Sequence, residues 1–320
     1  MSGIAIMTSG GDAAGMNPAV KAAVDHTLHL GMNPFVIYDG LEGLIDGKIK
    51  PATKDITRDM VYRGGTLLRS SRSKRFFEYE FRKQAYAHLK EKGIDKLVIM
   101  GGDGSFRALN DFFNDFEIPF AGIPATIDND IAGTDYCLGV DTAQNVILDC
   151  IDSIRDTAQS HHRAFVVETM GRDCGYLAMT TALCSGADIC IVPEIPYNLD
   201  TIYQRLVPQI EDETASIIAV VAEGTKVAQY LTRWLSERTG MDTRLTVLGH
   251  VQRGGSPTAR DRLMGTRFAT RAVEALNNGN INQIMVYRDG SYATASLDAI
   301  VDKKYNVNTE ILELSQELSN

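Results

Sequence analysis

The sequence predicts an α/β fold, and three observations carry that prediction. Short apolar runs alternate with longer amphipathic stretches along the 320 residues. The short runs show little polar alternation, as strands do when helices cover both faces of a parallel sheet. Glycine-rich turns follow two of these runs, and open α/β sheets bind ligands at the carboxyl ends of their strands. At roughly 150 residues per domain, the length implies about two domains.

In chain order, residues 4–7, 35–38, 97–100, 164–167, 189–192, 217–221, 245–248 and 284–287 read as strands. Helical stretches lie near 18–30, 79–92, 105–116, 141–157, 200–210, 226–238 and 258–277. No internal repeat, low-complexity segment or Pro/Ser-rich linker marks a domain boundary. The first residues read as a strand, without the basic region and long apolar segment of a signal peptide.

Composition narrows the function classes. Lys and Arg total 32 against 41 Asp and Glu, a formal net charge of −9, with a pI near 5.2. That balance argues against a generic nucleic-acid or anionic-membrane surface. An anionic ligand must therefore be held by a local cationic site. Mean hydropathy is −0.12, and no apolar run approaches the ~18 residues that a membrane helix needs. The five cysteines (Cys137, Cys150, Cys174, Cys184 and Cys190) are odd in number and form no CxxC. Neither a disulfide framework nor a zinc site is supported, and a reducing cytoplasm fits best.

The turns after the strands carry the chemistry. The first strand runs into Thr8-Ser9-Gly10-Gly11-Asp12-Ala13-Ala14-Gly15, followed by Asn17-Pro18 as an N-cap and first-turn proline. Glycines there let backbone N–H groups approach a phosphate, and the helix N-terminus adds a favourable dipole. Neither a P-loop nor a Rossmann fingerprint is present. A second such turn, Gly101-Gly102-Asp103-Gly104-Ser105, places a carboxylate among glycines. Asp103 can hold Mg²⁺ there, or it can simply cap the helix through an Asx turn. A third segment, Pro124-Ala125-Thr126-Ile127-Asp128-Asn129-Asp130, carries two carboxylates two residues apart. Read as extended chain, it puts them on one face.

Local cations complete the pattern. Arg69, Arg72, Lys74 and Arg75 cluster, and Arg163, Arg172, Arg244 and Arg253 stand at or beside strand ends. Arginine–phosphate pairs are bidentate and charge-assisted, which suits a phosphorylated substrate. His26 and His29 are expected on a solvated helix face, and Trp234 in a core. No GxSxG nucleophile elbow occurs.

GGDG alone also occurs in lipid and NAD kinases. TSGGDAAGMN, GGDGS, TIDND, MGR and GHVQRGGSP in this order are more specific, and over nearly the whole chain they resemble the bacterial ATP-dependent 6-phosphofructokinase family. The resemblance implies two doubly wound α/β domains with mostly parallel sheets. Residues 1–138 plus 251–305 would bind ATP, and residues 139–250 plus 306–320 would bind fructose 6-phosphate. It further implies a homotetramer, Mg²⁺, a cytoplasmic enzyme of glycolysis, and phosphoryl transfer from ATP to the sugar 1-hydroxyl.

By matching position, the resemblance makes Asp128 the general base and associates Asp103 with Mg²⁺. Gly11 contacts the transferring phosphate through its backbone. Arg72, with Ser73 beside it, lies near the ATP phosphates, over a floor of Gly102, Gly104 and Ser105. Thr126 and Arg172 steady the reacting phosphate, next to Ile127. Met170, Gly171 and Glu223 contact the sugar. His250, Val251, Gln252 and Arg253 form the segment that holds its 6-phosphate, while Arg163 and Arg244 reach that phosphate from a neighbouring subunit.

The sequence departs from the family in places. Ala125 stands where Gly is usual, a cost of about 1 kcal/mol only if that backbone needs φ > 0. Ala14 replaces a usual Pro, and Ser73 a usual aromatic. Pyrophosphate-using relatives carry Asp at the position of Gly104 and Lys at that of Ala125, so Gly104 favours ATP. A non-catalytic sugar-phosphate-binding paralogue is the other alternative, but Asp103, Asp128 and Arg172 are all retained. The family's effector pocket binds ADP or phosphoenolpyruvate between subunits. Lys21, Lys54 and Arg155 keep charge at matching positions, and Asp188 keeps an acid that can help bind metal with ADP. However, Asp25 replaces a second Arg and can pair with Lys21 at i, i+4. Glu211-Asp212-Glu213-Thr214 stand where relatives carry lysines, so a weakened effector site is expected.

Overall fold

The computed structural model describes residues 2–212, 215–303 and 305–319. They form two compact units, Met1–Ile127 with Ile131–Thr142 and Arg253–Tyr305, and Asp128–Asp130 with Ala143–Gln252 and Asn306–Asn320. The strands are β1 Gly3–Thr8, β2 Asn33–Ile37, β3 Ile49–Pro51, β4 Ile94–Gly101, β5 Phe120–Pro124, β6 Ala164–Thr169, β7 Ile189–Ile191, β8 Ile217–Ala222, β9 Thr243–Val247, β10 Gln283–Arg288 and β11 Ser291–Ser296. The helices are α1 Met16–His29, α2 Gly40–Ile45, α3 Lys54–Thr57, α4 Tyr79–Glu91, α5 Asp103–Phe116, α6 Val140–Ser160, α7 Tyr176–Ser185, α8 Leu199–Glu211, α9 Ala228–Thr239, α10 Ala259–Asn277 and α11 Thr309–Ser319.

The first unit is built on a seven-stranded sheet ordered β11-β10-β5-β4-β1-β2-β3. Its five inner strands pair in parallel, and an antiparallel strand closes each edge. The apolar runs explain the centre: every residue of β1 is buried. Three strands escape an apolar-run reading. β5 carries Gly122 and Pro124, yet all five of its residues are buried. A Cβ at Gly122 would lie 2.4 Å from Ile284 and 2.6 Å from Phe106, so only glycine fits beneath those side chains. β3 and β11 are mostly exposed edges: β3 is only Ile49-Lys50-Pro51, and β11 is rich in Ser, Thr and Ala.

Helix α1 begins differently from the sequence expectation. Gly15 precedes it in the left-handed region at φ 94, and Asn17 is not its cap. The Asn17 carboxamide donates to the carbonyls of Arg63 (3.0 Å) and Gly64 (3.1 Å) and accepts from the Leu67 amide (2.8 Å), tying down that loop.

The second unit holds a four-stranded, all-parallel sheet ordered β7-β8-β6-β9. Val166, Ile189, Ile202, Ile217, Leu231 and Leu235 lie in one buried cluster, with Trp234 packed against it. Helix α7 has most of its residues buried. A helix apolar on most sides shows no amphipathic period, which is why the sequence pattern passes over it. Among the described residues, no helix is long and apolar enough to cross a membrane. Cys137, Cys174 and Cys190 are buried, Cys150 is half-buried and Cys184 is exposed.

Candidate active site

In the first unit, the two glycine-rich turns are joined. The Ser105 hydroxyl donates to the Ser9 hydroxyl (2.9 Å), and the Ser9 amide donates to the Met100 carbonyl (2.9 Å). Gly11 meets Arg253: a Cβ there would sit 2.3 Å from Arg253 Nη1. That same nitrogen donates to the Asp12 carbonyl at 3.2 Å. Gly11 and Arg253 are thus brought together across a long stretch of sequence.

At the second turn, Gly102 precedes α5 with extended backbone and no side-chain cap bond. The Ser105 amide, which an Asx turn of Asp103 would use, donates instead to the Gly102 carbonyl at 3.0 Å, so that alternative is not realised. The Asp103 carboxylate pairs with Arg107 one turn later, and Arg107 also reaches Asp302 at 3.0 Å. A Cβ at Gly102 or Gly104 would meet nothing within 4 Å, and neither residue has positive φ. Neither backbone conformation nor neighbouring atoms require glycine there, so the open space is available to a ligand lying against the backbone. Among the described residues, no three His, Cys, Asp or Glu side chains form a metal-holding group. A cation at Asp103 would complete its shell with other oxygen donors, such as water or phosphate. That fits Mg²⁺, which usually binds through one or two carboxylates plus phosphates.

Arg72 is exposed, whereas Ser73 is buried. The Ser73 hydroxyl accepts from the Phe76 amide (3.1 Å). Arg75 and, to a lesser extent, Ser73 lower the Glu42 carboxylate's pKa. The Ser73 hydroxyl thus serves the 3-10 turn Arg75–Phe77.

The TIDND segment turns instead of running extended, with Asn129 at φ 52. The idea that Asp128 and Asp130 share a strand face fails for that reason. Thr126 is half-buried, and the Ile127 side chain is buried. Ala125 donates to the Gly101 carbonyl (3.0 Å) and bridges Leu138, with no positive φ. Alanine therefore imposes no left-handed strain there.

In the second unit, the Asp128 side chain is 1% exposed and its Oδ2 lies 3.3 Å from Arg172 Nε. Arg172 adopts φ 52 after Gly171 at φ 137. Its amide donates to Glu223 Oε1 at 3.0 Å. Gly224 packs against its carbonyl so closely that a Cβ would lie 1.9 Å from the oxygen. The Met170 amide donates to Gln252 Oε1 at 3.1 Å. His250 and Val251 are exposed on the 3-10 turn Gly249–Arg253. Met170, Arg172, Glu223 and His250 thus follow the carboxyl ends of β6, β8 and β9, which the parallel topology sets side by side. The sequence reading passed over Glu168 on β6. Burial, and secondarily the charge of Glu223, push its carboxyl above the usual range. The available signal was a second acidic residue at the end of a neighbouring parallel strand.

Arg163 and Arg244 stand apart from these residues. Arg163 precedes β6, and Arg244 sits opposite Phe165 near the start of β9. Both pair with Asp242, at 2.9 and 3.0 Å. They occupy the amino end of the sheet, opposite Arg172.

The residues expected at an effector site fall into two sets. In the first unit, Lys21 pairs with Asp25 at 2.5 Å as expected. Lys21, Asp25, His26, His29 and Lys54 line a cavity of about 460 Å³. His26 is half-buried, stacks on His29 and places Nε2 3.3 Å from Glu274, so it is not the solvated residue expected. In the second unit, Arg155 donates to the carbonyls of Ser185 (2.6 Å) and Gly186 (3.2 Å) at the end of α7. Asp188 accepts from Gln209 and from the Ile218 amide, each at 2.8 Å. Glu211 and Asp212 are exposed, while residues 213 and 214 of the acidic run lie outside the described residues.

A phosphofructokinase family model matches residues 3–276. The chain belongs to the phosphofructokinase family. The glycine-rich turns, TIDND and the 249–253 turn all fall inside that span. An ATP-dependent 6-phosphofructokinase of Sulfurimonas denitrificans is 48% identical over 313 residues, covering 98% of each chain. One of Wolinella succinogenes is 51% identical over 288 residues, covering 90% of each. Among solved structures, phosphofructokinase from Saccharomyces cerevisiae matches with a TM-score of 0.86 at 31% identity, covering 99% of this chain and 45% of that one.

Proposed function

We propose that the protein transfers the γ-phosphoryl group of ATP to the 1-hydroxyl of fructose 6-phosphate, yielding fructose 1,6-bisphosphate. The observation that carries this reading is the buried Asp128 carboxylate beside the Arg172 guanidinium. Phosphoryl transfer needs an oriented hydroxyl and charge neutralisation more than covalent catalysis. Asp128 accepts the proton of the attacking hydroxyl, and Arg172 balances charge on the transferring group. Thr126 and the Gly11 amide position that group. The nucleotide lies on the open backbone of Gly102 and Gly104, with Arg72 near its phosphates and Ser105 beneath. Mg²⁺ would be held by Asp103 together with phosphate oxygens, neutralising charge that builds up during transfer.

Met170, Gly171 and Glu223 bind the sugar, and His250 and Arg253 hold its 6-phosphate. Arg163 and Arg244 stand at the opposite end of their sheet from Arg172. This supports their acting on the active site of a neighbouring subunit in a homotetramer. The units described above would serve as the ATP-binding and sugar-phosphate-binding domains, and the enzyme would be cytoplasmic. Pyrophosphate as donor is disfavoured by Gly104, where no carboxylate blocks the α-phosphate. A coupled assay with fructose 6-phosphate tests the reading: activity is expected with ATP, and activity with pyrophosphate alone would overturn it.

A further inference from the structure

We propose that Gln252 is a positioning residue: it latches the 170–172 turn to the Gly249–Arg253 turn and fixes the acceptor site without touching substrate. The proposal rests on the fructose 6-phosphate reading above. Gln252 was expected among the substrate contacts, but its side chain is 0% exposed between exposed Val251 and half-buried Arg253. Its carboxamide is committed at both ends. Oε1 accepts from the Met170 amide at 3.1 Å, and Nε2 donates to the Gly249 carbonyl at 2.9 Å. The partners fix the orientation, since an amide N–H can only donate and a carbonyl can only accept.

What the latch holds is a costly conformation. Arg172 is left-handed at φ 52, a geometry that a non-glycine residue keeps only where the surroundings over-determine it, while Gly171 at φ 137 has a backbone open to glycine. The turn is braced at three points. Gln252 binds the Met170 amide, Glu223 binds the Arg172 amide, and Gly224 abuts the Arg172 carbonyl. Releasing the first brace frees Met170 from the turn that carries His250. The Glu223 brace, which holds the Arg172 backbone, is left intact. The consequence is selective: the sugar phosphate loses its preformed site, and the nucleotide does not.

Glutamine is also the residue type the geometry demands. An ionised Glu of the same length keeps an acceptor for Met170 but sets a second oxygen against the Gly249 carbonyl. A protonated Glu regains a donor. Burial against a carbonyl raises such a carboxyl above its ordinary pKa of about 4.3. The defect of Gln252→Glu is therefore large at alkaline pH and shrinks as pH falls.

The test pairs kinetics with amide hydrogen exchange, using full-length Gln252→Glu and Gln252→Met. At pH 8, KM for fructose 6-phosphate should rise about 10- to 100-fold, the effect of one lost buried hydrogen bond, with KM for ATP within about twofold. In Gln252→Met, which removes the acceptor altogether, the protection of the Met170 amide should fall by about tenfold or more, and it is this variant's protection that is decisive. Lowering the pH to 6 should recover part of the KM in Gln252→Glu and none in Gln252→Met. Parallel rises in both KM values, unchanged kinetics, or unchanged Met170 protection in Gln252→Met would overturn the latch, as would failure of both variants to fold. Should the wild-type protein prove inactive on fructose 6-phosphate, the functional reading falls. Met170 protection then decides the latch by itself.

Discussion

Replacing Gly104 by Ala should stabilise the fold and weaken nucleotide binding at the same time. Gly104 is the second residue of α5, has no positive φ, and would carry a Cβ into open space. Glycine costs a helix interior up to about 1 kcal/mol relative to alanine, and roughly half of that is expected in a first turn. For a chain of this size, the midpoint should rise by about 0.7 °C. The added methyl group, however, occupies space that lets a phosphate approach the backbone. A tenfold rise in KM for ATP, about 1.4 kcal/mol, is the expected scale. Gly104→Asp adds a carboxylate whose repulsion of a phosphate about 4 Å away costs ~4 kcal/mol per unit charge pair at an effective dielectric near 20. That variant should lose ATP use altogether. Thermal unfolding and a coupled kinase assay measure the two effects separately. A raised midpoint with unchanged KM for ATP would mean that the open space is not nucleotide space. A lowered midpoint would mean that the fold itself needs glycine there.

Asp128→Asn should leave substrate binding nearly intact and reduce kcat by about 10²- to 10⁴-fold, the usual contribution of a positioned general base; retention of more than half the activity would remove Asp128 from that role. Mixing Arg163→Ala subunits with Asp128→Asn subunits should restore some activity in verified hybrid tetramers, and complete inactivity there would remove the support for a site shared between subunits. Phosphoenolpyruvate or ADP at millimolar concentration should shift the fructose 6-phosphate saturation curve little. Asp25 already neutralises Lys21, and Asp188 and Arg155 are engaged with their own unit. A strong shift at micromolar effector would contradict that expectation.

The parts of the fold legible in the sequence are those whose burial is one-dimensional. β1 and β4 lie inside a parallel sheet, so their apolar runs announce them. β5 is equally buried, but close packing by Phe106 and Ile284 demands Gly122, and glycine interrupts the apolar run. Helix α7 is lost for the opposite reason, because burial on most of its sides erases the 3.6-residue period. Edge strands β3 and β11 face solvent and have no apolar signature to read.

Candidate-site residues divide along a different line. Gly11 and Asp103 stand in strand-end turns of the first unit, and parallel topology gathers such turns at one end of a sheet. The same topology predicts that residues just after β6, β8 and β9 share an end, where Arg172, Glu223 and His250 are found. It predicts equally that Arg163, just before β6, belongs to the other end, a distinction that a reading based on closeness to any strand end overlooks. Side-chain direction is a further step removed. Ser73 and Gln252 both sit beside residues assigned to ligands, and both turn inward to backbone groups that need partners, one for Ser73 and two for Gln252. Buried backbone N–H and C=O groups are almost always paired. A polar side chain adjoining an irregular turn therefore has two possible employers, the ligand and the turn itself. Motif position cannot separate them, whereas the partner atoms of Gln252, one donor and one acceptor, do.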